Sequence, residues 1–143
     1  MKVVSAALLA TLLACSSATT FRVGETVNGW TVVRSDIRSD PTESGWIGEV
    51  DFAGQATLPG TFQKHFDTDA LCFFVDESDR GALPRFSNDV RKPWFCFTND
   101  ADVRNVAKEG MHAHIRIDSF LYRYSHTDVV NGTKFVSLSP SPR

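Results

Sequence analysis

Two short aromatic runs with a cysteine in each constrain this fold more than any other feature: Leu71-Cys72-Phe73-Phe74-Val75 and Trp94-Phe95-Cys96-Phe97. The chain has three cysteines, and the first, Cys15, closes a leader. Met1-Lys2 supplies one basic residue, Val3 to Ala14 carry no charge, and small residues follow. That is the pattern of an export signal. The apolar run is too short to span a bilayer, which takes about 20 residues. Cys72 and Cys96 are then the remaining pair in an exported protein, and an oxidising compartment favours joining them. Two free, buried thiols are the alternative. Closing a loop of about 25 residues contributes on the order of 3 kcal/mol by restricting the unfolded chain. With the cysteines facing each other on antiparallel neighbours, Phe73 opposes Phe95, Phe74 opposes Trp94 and Leu71 opposes Phe97. Side chains alternate across a strand. Leu71, Phe73, Val75, Phe95 and Phe97 therefore form a core face, and the other face carries the disulfide, Phe74 and Trp94.

The flanking sequence continues in strands. Glu25 to Val33 reads as a hairpin about Asn28-Gly29, because both turn residues tolerate positive φ. Arg34 to Ser44 is polar, contains Pro41 and is expected to be loop. From Trp46 to Leu58, Trp46, Val50, Phe52, Ala56 and Leu58 fall on one parity, and Ile47, Glu49, Asp51, Gln55 and Thr57 on the other. This is the alternation of a half-buried strand, with Gly48 and Gly54 marking bends or bulges. Pro59-Gly60 interrupts the run, and Thr61 to Asp69 leads to the next strand. Asp76 to Pro93 reads as a polar loop. Asp100 to Glu109 reads as the one helix. Thr98 or Asn99 would cap it, Asp100 and Asp102 suit its positive end and Lys108 its negative end. Val103, Val106 and Ala107 form its stripe, and Gly110 is its left-handed terminator. Met111 to Tyr124 is the longest strand. Its apolar parity moves from Met111, Ala113, Ile115 and Ile117 to Phe120, Tyr122 and Tyr124, which predicts a bulge near Asp118-Ser119. Lys134 to Leu138 is a last strand.

Residues 1–14 are thus expected to be a signal peptide, 15–20 a tether and 21–143 a single domain. The roughly 128 residues left after the leader suffice for one core. Eleven Phe and three Trp supply it. The formal net charge is −2, or −3 without Lys2. That lacks the electrostatic footprint of a nucleic-acid binder.

Two resemblances give this outline an identity. Leu12-Leu13-Ala14-Cys15 resembles the lipobox of bacterial lipoproteins. In that family the cysteine becomes the first mature residue and carries the lipid, so the resemblance implies lipidation of Cys15 and a membrane partner through that lipid. Cleavage after Ala18, giving a soluble secreted protein, is the alternative. The strand order, with one short helix between the third and fourth strands, resembles the OB-fold, a five-stranded Greek-key barrel. The barrel would take Trp46–Leu58, Leu71–Val75, Trp94–Phe97, Met111–Tyr124 and Lys134–Leu138, with the N-terminal hairpin as an addition. Residues from about 45 to 138 are covered, and the start of the fourth strand at Gly110 also looks like small exported OB-type domains of bacteria.

In OB-type proteins the ligand surface is the outer face of the second and third strands, flanked by two loops. The resemblance therefore places Phe74 and Trp94 on that face, between Thr61–Asp69 and Ser125–Thr133. Two outward aromatics can stack on a sugar ring, a peptide side chain or a base; burial under the hairpin or a loop is the other reading. Lys64 and Arg123 are the basic candidates at the rim, among charges of both signs. His112 and His114, two apart on a strand, point the same way and can grip Zn²⁺ or Cu²⁺ if a third ligand approaches. A solvated polar face is the alternative. Asp76 to Gly81 matches a Ca²⁺ loop poorly, because Arg80 stands where an oxygen ligand belongs. Asn131-Gly132-Thr133 matches a glycosylation acceptor. No nucleophile elbow, phosphate loop or zinc-protease motif is present, and no cofactor is expected.

These readings converge on a non-enzymatic cell-envelope lipoprotein. It would be held on a membrane at the periplasm and bind a protein or a glycan, with no nucleic-acid partner. A periplasmic metal-binding protein using His112 and His114, and a secreted enzyme, are the competing classes.

Overall fold

The computed structural model describes residues 20–127 and 129–141. The leader, Cys15 and most of the expected tether lie outside the described residues. The chain there is mainly β. The strands are β1 (Thr26–Val27), β2 (Trp30–Ser39), β3 (Trp46–Lys64), β4 (Leu71–Val75), β5 (Trp94–Phe97), β6 (His112–Tyr124) and β7 (Gly132–Pro140). A 3₁₀ segment, Glu77–Ala82, follows β4, and helix α1 (Asp100–Arg104) follows β5.

All seven strands belong to one mixed sheet in the order β1-β2-β3-β4-β5-β7-β6, and β6 also pairs with β3. The run of pairings β3-β4-β5-β7-β6 therefore returns to β3 as a partial ring. Its one parallel junction, β5 with β7, is confined to Cys96↔Gly132 and Phe97↔Thr133. The face enclosed by these strands carries the core: Leu58, Phe62, Phe73, Phe95, Ile115, Ile117 and Phe120 are all buried. Burying each such side chain contributes roughly 1.5–3 kcal/mol.

The cysteine register is as expected. Cys72 pairs with Cys96, Phe73 with Phe95 and Phe74 with Trp94, and the two sulfurs are bonded. Leu71, Phe73, Val75, Phe95 and Phe97 all face the core. The hairpin turn is also as read, with positive φ at Asn28 (51°) and Gly29 (82°). So is the bulge in β6, where Ser119 takes φ 61° and the register with β7 shifts between Asp118 and Phe120.

Other expectations give way to tertiary structure. Arg34 to Ser39, read as loop, continues β2, because this polar stretch finds β3 opposite it and Arg34 pairs with Asp51 (2.6 Å) and Glu49 (3.3 Å). The strand from Trp46 does not stop at Pro59-Gly60. The Pro59 carbonyl accepts the Asp76 N–H at 2.9 Å. The nitrogen of Pro59 therefore points to the same edge, just past the end of β4, where no ladder donor is needed. Gly60 then carries β3 against β4, in a space where a Cβ would stand 2.2 Å from the Phe74 carbonyl oxygen. β3 bends at Gly48 (φ 138°), and Ile47, on the parity expected to be polar, is buried.

The helix is half its expected length. It ends at Arg104, with Asn105 as its C-cap. Val106, expected on the buried stripe, is 50% exposed. So short a helix has little internal stability and is held from outside. Asn99 bonds both the N–H (2.8 Å) and the carbonyl (2.9 Å) of Phe135 in β7. Gly110 (φ 81°) then turns the chain into β6, its N–H on the Phe62 carbonyl.

The segment from Asp76 to Pro93 is more than a polar loop, because Leu83 and Phe86 enter the core. Phe86 stacks on Phe21 at 5.5 Å and meets the edge of Tyr122 at 5.1 Å. The N-terminal hairpin holds this segment: Asn28 Nδ2 donates to the Gly81 carbonyl (3.0 Å) and Trp30 Nε1 to the Ala82 carbonyl (3.2 Å). The hairpin thus extends the β3 edge and leaves Phe74 and Trp94 half-buried on the opposite side of the sheet from the core.

Candidate functional site

Direct pairing of Phe74 and Trp94 on β4 and β5 stands their rings side by side, 5.4 Å apart and within 5° of parallel. The β3–β4 turn adds two more. His65 stacks on Trp94 at 5.5 Å, and Phe66 stacks on His65 at 4.5 Å. The turn fixes these rings by its own bonds: His65 N–H to the Ala70 carbonyl (3.0 Å), Thr68 N–H to the His65 carbonyl (3.2 Å) and Ala70 N–H to Thr68 Oγ1 (3.2 Å). Asp67 N–H donates to His65 Nδ1 (3.3 Å), so the neutral ring carries its proton on Nε2. The result is a four-ring ladder, Phe74–Trp94–His65–Phe66, whose last ring is 74% exposed.

An open cleft of about 240 Å³ runs beside the ladder. His65, Phe66 and Trp94 form one wall, and Ser125 to Thr127 with Val129 and Val130 form the other; Arg91 also lines it. The second wall is held in three ways. Ser125 Oγ accepts the Thr127 N–H (3.1 Å). His126 Nε2 donates to Asp40 Oδ2 at 2.6 Å, tying this segment to the β2–β3 turn. Arg91 donates to the carbonyls of Val129 (3.2 Å) and Arg123 (2.6 Å).

Each anchor is electrostatically settled. The buried Asp40 carboxylate accepts the Thr42 N–H (2.8 Å), the Thr42 hydroxyl (2.9 Å), His126 and the Glu43 N–H (3.3 Å). These donors, the Thr42 N–H foremost, outweigh burial and hold its pKa down at about 2. Behind Arg91 lies a buried network. The guanidinium grips Asp89 through Nε (3.0 Å) and Nη2 (2.9 Å), and Tyr122 donates to Asp89 Oδ2 (2.9 Å) while accepting the Phe86 N–H (3.0 Å). Burial, reinforced by the Asp89 charge, pushes the Tyr122 phenol far above its ordinary value. Arg91 also lies over the Tyr124 ring at 5.0 Å.

The other candidates sit apart from the ladder. Lys64 pairs with Asp69 (3.7 Å) on the surface. Arg123 pairs with Glu49 (3.0 Å) at a second cleft of about 150 Å³. His112 and His114 both project outward from β6. His112 lies between Asp76 Oδ2 (2.9 Å) and Ser141 Oγ (2.7 Å), clasping the C-terminal segment. Of the remaining histidines, His65 belongs to the ladder and His126 to Asp40. Among the described residues no three His, Cys, Asp or Glu side chains gather to hold a metal ion. The glycosylation motif is closed by the fold: Asn131 is buried, its Oδ1 accepting the Arg123 N–H (2.8 Å) and its Nδ2 donating to the Trp94 carbonyl (3.1 Å). Cys15 lies outside the described residues.

The flanking loops were legible as ranges, but the stacking of His65 and Phe66 on Trp94 and the bond from His126 to Asp40 were not. Loop residues follow no period, and the one available signal was an aromatic pair, His65-Phe66, in an otherwise polar turn. No family model, no curated protein and no solved structure matches this chain.

Proposed function

We propose that this chain is an exported, non-enzymatic binding module, anchored to a membrane of the cell envelope by a lipid on Cys15 and recognising a protein or glycan partner. The observation that carries the binding reading is the four-ring ladder beside an open cleft. Stacked aromatic side chains left partly in water, with Phe66 exposed at the end, are costly and supply a stacking surface. We read the partial ring as an OB-like barrel of five strands. In support, neighbours in the order β3-β4-β5-β7-β6 pair and β6 pairs back to β3, and α1 falls between β5 and β6, the third and fourth of these strands along the chain. In that reading the ladder lies on the outer face of the second and third barrel strands, with the β3–β4 and β6–β7 segments as its flanks. The anchor rests on Leu12-Leu13-Ala14-Cys15 alone.

Fractionation tests the anchor. The parent protein should sediment with membranes and show the mass of a lipidated Cys15, and Cys15→Ala should move it to the soluble fraction. A soluble parent with Thr19 as its first residue would overturn the anchor and leave the module exported but free.

A further inference from the structure

We propose that two copies of this chain associate through the outer edge of β2, strand against antiparallel strand, with Ile37 opposite Ile37 of the second copy.

The edge is open over the second half of β2. β1 pairs with β2 only at its start, Thr26↔Thr31 and Val27↔Trp30. The backbone bonds on that side end at Val32, which accepts from the Gly24 N–H and donates to the Glu25 carbonyl. From Arg34 to Ser39, β2 pairs with β3, and among the described residues no strand takes its other side. Arg34, Asp36, Arg38 and Ser39 are exposed, and Val33, at the bulge, is 52% exposed. An edge of this kind is a template for another strand.

Backbone direction says which residues would pair. The Asp40 N–H donates to the Gly45 carbonyl (3.0 Å), and the Asp36 carbonyl oxygen points at β3, where a Cβ on Gly48 would stand 2.2 Å from it. Both backbone groups of a residue point the same way, and successive residues alternate. Asp36, Arg38 and Asp40 therefore face β3, and Ser35, Ile37 and Ser39 turn their N–H and carbonyl groups outward. With Ile37 opposite its own copy, Ser35 meets Ser39 and Ser39 meets Ser35, so all three outward residues find a partner.

Charge selects the same register. Centring on Ile37 sets Asp36 against Arg38 twice, at the closely spaced positions where cross-strand side chains interact most. Centring on Asp36 would set Asp36 against Asp36 and Arg34 against Arg38. Centring on Arg38 would set Arg38 against Arg38. Centring on Ser35 would bring Ser39 to Thr31, where β1 already lies. Within one copy Asp36 stands opposite another carboxylate, Glu49, so a guanidinium added beside it relieves like-charge repulsion. Ile37 lies at the margin of the core, and its facing copy continues that margin across the junction. A two-fold contact must be self-complementary, and Ser35-Asp36-Ile37-Arg38-Ser39 is its own complement. That is why a second copy, rather than an unrelated strand, is the occupant.

So short a ladder makes a small interface and a weak dimer. The exported, disulfide-bonded protein is sedimented in mild detergent from about 10 µM to 1 mM and should pass from monomer to dimer. Asp36→Arg and Arg38→Asp, both at exposed sites, should each weaken the dimer roughly ten-fold. Mixed in equal amounts, the two variants set every arginine against an aspartate and should form a mixed dimer with the parent's affinity. Hydrogen exchange at the Ile37 and Ser39 N–H groups should slow as the dimer forms. A parent monomeric throughout, or a dimer indifferent to both single variants, overturns the inference. So does protection of the Ile37 and Ser39 N–H groups in the monomer, which would show the edge covered by another segment of this chain. None of these outcomes bears on the reading of the aromatic ladder.

Discussion

Tyr122→Phe removes a single oxygen from the centre of the molecule. The ring is 1% exposed and keeps its packing, so no cavity forms. Two bonds disappear: the one from the hydroxyl to Asp89 Oδ2 (2.9 Å) and the one it accepts from the Phe86 N–H (3.0 Å). Leaving a buried N–H without an acceptor costs about 1–3 kcal/mol, and a hydrogen bond to a charged group contributes about 1.5–3 kcal/mol. Asp89 keeps Arg91, which offsets part of the second loss, so a net destabilisation of about 2–3 kcal/mol is expected. Urea unfolding at neutral pH with the disulfide intact, followed by tryptophan fluorescence, measures it. With a slope of about 1–3 kcal/mol per molar, the midpoint should fall by roughly 1–2 M. Asp89→Ala leaves the Arg91 guanidinium without its partner and should cost more, about 3–5 kcal/mol. The double variant should cost less than the two singles together, because they share a bond. A Tyr122→Phe midpoint shifted by less than about 0.5 kcal/mol of stability, or strict additivity with Asp89→Ala, would refute the network as a structural unit.

Four further outcomes follow from the same coordinates. The chain has two tyrosines, Tyr122 and Tyr124, both with phenols pushed up by burial. The stability this reflects is intact below the unfolded tyrosine value near 10 and drains as pH rises above it, so ultraviolet titration should show Tyr122 ionising only together with unfolding. Asp40 acts at the other end of the scale. Its carboxylate is held at about 2 against an unfolded value near 3.9, so its contribution is whole above about pH 4 and is lost as pH falls toward 2. Urea midpoints at pH 5 and 2.5 should fall less in Asp40→Asn than in the parent. Gly60→Ala drives a Cβ to 2.2 Å from the Phe74 carbonyl and should cost about 3 kcal/mol or fail to fold, whereas Gly81→Ala meets nothing within 4 Å and should be neutral or stabilising by about 0.4–1 kcal/mol. Replacing both Cys72 and Cys96 by Ser should cost about 3 kcal/mol in the same assay, and an unchanged midpoint would remove the crosslink from the account of stability.

The sequence made local pairing legible and left long-range pairing dark. Asn28-Gly29 specifies its turn from two residues, and the parity change at Asp118-Ser119 betrays its bulge, because both signals lie within one strand or hairpin. The Cys72–Cys96 register needed only a crosslink and two short runs. Arg34 to Ser39 carries no apolar alternation of its own, and it is a strand only because β3 presents Glu49 and Asp51 to Arg34. Pro59 is tolerated mid-strand because of where β4 happens to end, a fact recorded nowhere near residue 59. At the candidate site, register gave Phe74 and Trp94, but His65 and Phe66 reach them through a turn whose shape no period encodes. Asp89, Arg91 and Tyr122 similarly reveal their association only in three dimensions.

β3 is paired along its length with β2, β4 and β6, and β6 is translated only after β4, β5 and α1. A nascent chain ending before β6 therefore lacks the longest partner of its longest strand and has no way to complete the core. Folding must wait for nearly the whole polypeptide, and its dominant contacts are of the non-local kind that close in milliseconds to seconds. The same connectivity that makes the finished domain cohesive leaves the emerging chain without its core until synthesis is nearly done.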